Sequence, residues 1–146
     1  MRVSEIMTKD VFTLKAGQRV VAAEEIMRWA HVRHVPVLDD HHQLVGIVSQ
    51  RDVLRAAISS LSTGLAAVEK RQHLASATIG QIMVQPVHTI GPDELVQEAA
   101  GTMRRLKIGC LPVVDADRMV GLVSEHDLLA ILEHVPTPNL GERVAR

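Results

Sequence analysis

The sequence predicts an α/β (α+β) chain made of two copies of one β-α-β-β-α unit. Three observations point there: blocks that recur in the same order, short apolar runs alternating with 3.6-period segments, and a core vocabulary almost without aromatics. Ile6-Met7-Thr8-Lys9-Asp10-Val11-Phe12-Thr13 recurs as Ile82-Met83-Val84-Gln85-Pro86-Val87-His88-Thr89. Val35-Pro36-Val37-Leu38-Asp39 recurs as Leu111-Pro112-Val113-Val114-Asp115. Gly46-Ile47-Val48-Ser49-Gln50-Arg51-Asp52-Val53-Leu54 recurs as Gly121-Leu122-Val123-Ser124-Glu125-His126-Asp127-Leu128-Leu129. The third block is displaced by one residue less than the others, so a deletion falls between His41 and Gln43, where a turn is expected. A repeat must be recognised before elements are assigned, because it sets the whole architecture.

Each copy opens on an extended segment, Val11 to Leu14 or Val87 to Ile90. A helix follows, over about 18–31 and 93–106. In the second copy Gly91-Pro92-Asp93-Glu94 provides a breaker, a proline suited to a first helical turn and two carboxylates favoured by the helix dipole. Val20, Ala23, Met27 and Ala30, like Val96, Ala99, Met103 and Leu106, follow the helical period. Two strands flank a polar turn: 34–38 with 44–48, and 110–114 with 119–123. The turns Asp39-Asp40-His41-His42 and Asp115-Ala116-Asp117-Arg118 are hairpin signatures. A last helix begins after Ser49 and Ser124. The repeats span 3–57 and 79–134, joined by a linker over 58–78 in which Leu65 to Leu74 suit a short helix. Residues 135–146 read as a poorly ordered tail.

At 146 residues the chain can bury a core without metal or disulfide. Sixteen Lys+Arg against seventeen Asp+Glu leave a net charge of -1, which argues against a nucleic-acid-binding domain. Phe12 and Trp29 are the sole aromatics, so the stacking platforms of single-strand binders are missing too. A lone cysteine, Cys110, suits a reducing compartment. The start carries charges where a signal peptide needs apolar residues, and no apolar run approaches a membrane span. The expectation is a cytoplasmic protein without a membrane segment.

The most informative block is G-h-h-S-x-x-D, with h apolar. Its glycine would end a strand and permit close backbone approach. Ser-x-x-Asp is the pattern of a capping box, with Ser49 and Ser124 as N-caps and Asp52 and Asp127 in the first turn. The same geometry suits a ligand. A helix N-terminus offers N–H groups to phosphate, a serine hydroxyl can add a hydrogen bond, and an Asp can accept from vicinal ribose hydroxyls. The two are compatible, since a cap can be shared with a ligand.

The paired pattern M-x-x-x-V-x-T-h, h-P-V-h-D and G-h-h-S-x-x-D resembles a tandem pair of CBS (cystathionine-β-synthase) domains, a Bateman module. The resemblance covers about 3–134 and implies two repeats packed with pseudo-two-fold symmetry around two clefts. It implies adenosine-containing ligands: AMP, ADP, ATP or S-adenosylmethionine. By the same resemblance Asp52 and Asp127 hold ribose, and Ser49 and Ser124 contact phosphate or ribose. Backbone flanking the adenine falls on Val11, Phe12, Val32, Val35 and Pro36 in one copy, and on Val87, His88, Ile108, Leu111 and Pro112 in the other.

The copies differ where charge matters. Arg51 precedes Asp52, whereas His126 precedes Asp127; Arg is always charged, while an unperturbed His is mostly neutral at pH 7. Arg33-His34 precede the first Val-Pro, and Gly109-Cys110 the second Leu-Pro. The first cleft is therefore expected to suit an anion better, and the His126 cleft to gain affinity at lower pH. No H-E-x-x-H, P-loop, G-x-G-x-x-G or nucleophile-and-base set is present, so no catalytic group, catalytic cofactor or metal is expected. Cys110, between apolar residues, reads as a small core residue.

Two function classes remain: a regulatory module that senses an adenosyl ligand and signals to an unknown partner protein, or a structural dimerisation module with unoccupied clefts. A homodimer is expected in either case. The helix at 18–31 carries a second apolar stripe, Ala22, Ile26 and Trp29, where the second copy has Glu98, Thr102 and Arg105. The last helices are also broadly apolar, through Val53, Leu54, Ala57, Ile58 and Leu61 and through Leu128, Leu129, Ile131, Leu132 and Val135. The competing cover for that stripe is the 58–78 linker folded back on its own chain.

Overall fold

Apolar residues three and four apart become buried helix faces in the computed structural model, which describes residues 1–61, 69, 72 and 75–136. The first half contains α1 (Val3–Ile6), β1 (Leu14–Lys15), α2 (Val20–Ala30), β2 (His34–Leu38), β3 (Leu44–Ser49) and α3 (Gln50–Leu61). The second contains α4 (Ile79–Ile82), α5 (Val96–Leu106), β4 (Cys110–Asp115), β5 (Arg118–Ser124) and α6 (Glu125–Glu133). Val20, Ala23 and Met27 are the buried positions of α2, and Val96, Ala99 and Met103 those of α5. Both helices end on a left-handed residue, His31 and Lys107, each at φ 55°. Among the described residues no helix is long and apolar enough to cross a membrane.

In the first sheet β1 runs parallel to β2, and β2 antiparallel to β3. In the second, β4 and β5 pair antiparallel, and a single parallel bridge, Ile90 to Val113, stands where β1 stands in the first. Both hairpins carry a register shift at the same place, Val37/Leu38 and Val113/Val114. The deletion between the copies falls in the turn. In the first hairpin Asp39 Oδ1 accepts from the amides of His41 (2.8 Å) and Gln43 (2.9 Å). The second is closed by Ala116 and Asp117, both at positive φ, directly inside the Asp115–Arg118 pair, the backbone of a two-residue hairpin turn.

Several boundaries differ from expectation. The opening strands shrink to Leu14–Lys15 and Ile90, because only those residues reach a neighbouring strand; Phe12 and His88 are exposed. The helix expected from 18 starts at Val20, since the Gln18 carbonyl accepts from Ile79 N at 2.8 Å. The one expected from 93 starts at Val96, since the Glu94 carbonyl accepts from Val3 N at 2.9 Å. The last helix of the first copy also continues to Leu61, into the expected linker. The short helix proposed for Leu65 to Leu74, most of the 58–78 linker and the tail beyond Pro136 lie outside the described residues.

Those hydrogen bonds mark an exchange between the copies that sequence pattern does not display. The start of the chain runs against the second copy: Ser4 N donates to Pro92 O (2.9 Å), Thr8 pairs with Leu122, and Arg2 forms an ion pair with Asp93 (2.9 Å). Residues 77–84 run against the first: Val20 N donates to Ala77 O (2.9 Å), Gly80 N to Ala16 O (2.9 Å), and Val84 pairs with Ile47. Each core is accordingly mixed. One gathers Leu14, Val20, Ala23, Val35, Val37 and Val48 around Ile79 of α4; the other gathers Ile90, Ala99, Met103, Leu111, Val113 and Val123 around Val3 of α1.

Candidate functional site

The repeated Ser-x-x-Asp forms a closed box in both copies. Ser49 donates to Asp52 Oδ2 through its amide and its hydroxyl, both at 2.7 Å, and Asp52 N donates back to Ser49 Oγ at 3.2 Å. Ser124 and Asp127 repeat the arrangement at 2.7, 2.7 and 3.4 Å. Two partners therefore hold one carboxylate oxygen of each Asp, while the other oxygen takes no hydrogen bond from the described residues. Both Asp side chains are half-buried at the head of a helix. The hydroxyl proton of each Ser points at its Asp, so towards a ligand these hydroxyls are acceptors rather than donors.

The start of the preceding strand is fastened to each box. His34 pairs with Ser49 and Cys110 with Ser124 in the ladders. The Arg33 carbonyl accepts from Gln50 N at 2.8 Å, and the Gly109 carbonyl from Glu125 N at 3.0 Å. The first amide of α3 and of α6 is thus occupied within the fold, as is the amide of each Asp. This narrows the phosphate cradle expected of those N-termini.

Val35, Pro36, Leu111 and Pro112 are fully buried, which leaves only their backbone for a ligand. Cys110 is buried in its strand, and burial, reinforced by Glu125, pushes its thiol up to about 12. It is a neutral group at physiological pH. Arg33, Arg51 and His126 are exposed, and Val11, Val32, Val87 and Ile108 are half-buried. Phe12, 46% exposed, lies edge-on to Trp29 with ring centroids 6.3 Å apart. A candidate cleft residue thereby touches a candidate dimer residue.

Two open cavities are lined by described residues. One of about 680 Å³ lies between α2 and α3 and includes Met27, Arg28, Val32, Arg33 and Leu54 in its wall. The other, of about 620 Å³, lies between the start of β3, residues Gln85–Thr89 and the β4–β5 turn. Neither is lined by Asp52 or Asp127. Among the described residues no His, Cys, Asp and Glu side chains gather as metal ligands.

Sequence reasoning missed one charged residue beside the boxes, Glu125, exposed at the head of α6. An added Cβ on Gly109 would lie 3.0 Å from His34 Cε1 and 3.6 Å from Glu125 Oε2. His34 of the first copy and Glu125 of the second therefore converge on Gly109. Burial lowers the pKa of His34 from its ordinary value; Glu125 and Asp52 oppose that shift, and Arg33 and Arg51 add to it. The signal was available as the Gln50-to-Glu125 difference between two aligned blocks.

A family model described as CBS domain matches residues 3–59 and again 79–134. A CBS domain-containing protein of Dictyostelium discoideum is 32% identical over 93% of this chain and 94% of its own length. A homoserine O-acetyltransferase of Methanohalobium evestigatum is 30% identical over 90% of this chain. The chain spans only about a quarter (24%) of that enzyme, so the activity belongs to a much longer protein. Among solved structures, AcuB from Vibrio cholerae has 32% identity and a TM-score of 0.77, covering 91% of this chain and 90% of its own. The CBS domain pair of MJ0100, in complex with 5'-methylthioadenosine and S-adenosyl-L-methionine, has 29% identity and a TM-score of 0.76 over 91% and 96%. CBSX2 in complex with AMP has 25% identity and a TM-score of 0.74 over 90% and 96%.

Proposed function

The chain belongs to the CBS domain family, and on that premise we propose that it is a regulatory module that binds an adenosyl ligand and transmits the binding to a partner protein. The observation that carries the proposal is the pair of Ser-Asp boxes. Each places a half-buried Asp at a helix head, with one carboxylate oxygen that takes no hydrogen bond from the described residues. Such an oxygen suits the vicinal hydroxyls of a ribose. AMP in CBSX2, and 5'-methylthioadenosine with S-adenosyl-L-methionine in MJ0100, support that ligand class.

In this reading Asp52 and Asp127 hold the ribose of two ligands. Val11, Val32, Val35 and Pro36 on one side, and Val87, Ile108, Leu111 and Pro112 on the other, offer backbone to the base. Arg33 and Arg51 supply the first site with charge for phosphate. No chemical step is assigned to the protein. Two chains associate through α2, α3 and α6, and the module works in the cytoplasm.

The test is calorimetric titration with AMP, ADP, ATP and S-adenosylmethionine, followed by Asp52→Ala and Asp127→Ala. Each substitution is expected to abolish or weaken one site. Loss of one hydrogen bond to a charged group is worth about 1.5–3 kcal/mol, roughly tenfold or more in Kd. At 100 times its Kd a ligand should also add about 2.7 kcal/mol of stability. If no ligand binds, the boxes are caps alone and the chain is a structural dimerisation module.

A further inference from the structure

Four aligned positions next to the Ser-Asp boxes are not alike in the two copies. The first copy supplies Arg33, His34, Gln50 and Arg51; the second supplies Gly109, Cys110, Glu125 and His126. The absence of a side chain at Gly109 lets the His34 ring lie against the second copy, next to the Glu125 carboxylate. Across the ladder His34 pairs with Ser49, the cap of the Asp52 box. One imidazole therefore stands between the first candidate ribose site and the head of α6.

We propose that His34 is the residue by which the first site distinguishes a phosphorylated adenosyl ligand from its neutral nucleoside, taking up a proton when the phosphate arrives. The proposal rests on the adenosyl-binding reading above and adds the charge class of the ligand.

The charged groups around His34 come from each element packed on it. Arg33 adjoins it at the start of β2, Arg51 and Asp52 lie on α3, and Glu125 lies on α6. Cys110, at the matching position of β4, is a protonated thiol and carries no charge. Burial, with a smaller part from the two arginines, disfavours the charged ring against the pull of Glu125 and Asp52. A phosphate monoester brings roughly −1.5 to −2 charges at pH 7. Drawn in by Arg33 and Arg51, it offsets the two cations that disfavour protonation and adds anionic charge that favours it. The ring then becomes an imidazolium held between phosphate and Glu125, with both ring nitrogens as donors. Proton and phosphate are thereby linked, each strengthening the other by the same factor. A nucleoside without phosphate brings no charge to that balance.

The experiment follows the His34 Cε1–H resonance through a pH titration of the full chain, alone, with AMP and with adenosine. AMP is expected to raise the midpoint by about one pH unit, equivalent to roughly tenfold tighter AMP binding by the protonated form. Adenosine should leave it in place. Calorimetry provides the second arm. The pH dependence of AMP affinity in His34→Gln should differ from wild type, AMP's own phosphate titrating alike in both, while adenosine affinity stays the same. A midpoint that AMP does not move, or an unchanged AMP profile in His34→Gln, overturns the proposal. If both ligands bind and His34 stays silent, this inference alone fails; if neither binds, the adenosyl reading fails with it.

Discussion

Gly46 and Gly121 each make room for a methionine from the opposite end of the other copy. A Cβ at Gly46 would lie 2.5 Å from Met83 Sδ, and one at Gly121 would lie 2.7 Å from Met7 Sδ and 2.9 Å from the Thr8 carbonyl oxygen. Both glycines sit inside strands rather than at their ends. What they admit is a thioether belonging to the fold. The two sites are expected to respond unequally to alanine. At Gly46 the three nearest atoms all belong to the Met83 side chain, whose thioether end can move although its Cβ, at 3.1 Å, is tied to the backbone. At Gly121 the obstacle includes backbone fixed by the Thr8–Leu122 bridge. Overpacking of this kind costs about 1–3 kcal/mol, so Gly121→Ala should fall at the upper end and Gly46→Ala at or below the lower. Urea denaturation midpoints of the two variants, read at constant m, check the order. Equal losses would show that the Thr8 carbonyl is not the obstacle. The repeated glycine was plain in the sequence; its cause was not, because Met7 and Gly121 belong to opposite ends of the chain.

Among the elements, α1 and α4 are the ones that pattern reading left out. Four residues are too few to display a helical period, and such helices depend on tertiary packing rather than propensity. Their contribution lies in what they bury: Val3 and Ile79 have no exposed surface, each inside the core of the other copy. Longer elements were legible because their apolar positions repeat several times, as in α2 and α5. The Ser-Asp boxes were legible because capping is local in sequence. His34 against Glu125 was not, because that contact crosses the repeat boundary. The exchange predicts a crossed effect. Deleting residues 1–6 should loosen the second copy, since Val3 packs with Leu111, Val113 and Val123. Amide hydrogen exchange is then expected to accelerate over 110–124 well before 34–49. Faster exchange confined to 34–49 would mean that the first segment supports its own copy instead.

For the molecule as a whole, the exposed apolar side chains are unevenly placed. Trp29 is 78% exposed on α2, and Leu54 and Ile58 on α3 and Leu129 and Leu132 on α6 are each more than half exposed. Val135 follows just beyond α6. Ala22 and Ile26, expected in the same stripe as Trp29, pack instead against the first core, so the stripe narrows to its last member. Large exposed apolar side chains commonly accompany a protein contact when they form one patch, and a two-fold dimer is the commonest closed solution. Trp29 is a strong anchor for one, since large aromatic residues dominate interface energetics. The wild-type chain is therefore expected to run as a dimer in light scattering, and Trp29→Glu as a monomer, because a buried unpaired carboxylate is costly. Leu132→Glu, on the other repeat, should act the same way if α6 joins the interface. Both substitutions are at exposed positions, so the fold of each subunit should persist in circular dichroism. Trp29→Glu also removes the edge contact to Phe12, and any change in ligand affinity confined to that variant would trace to Phe12 rather than to dissociation. A wild-type chain that is monomeric at high micromolar concentration would overturn the dimer.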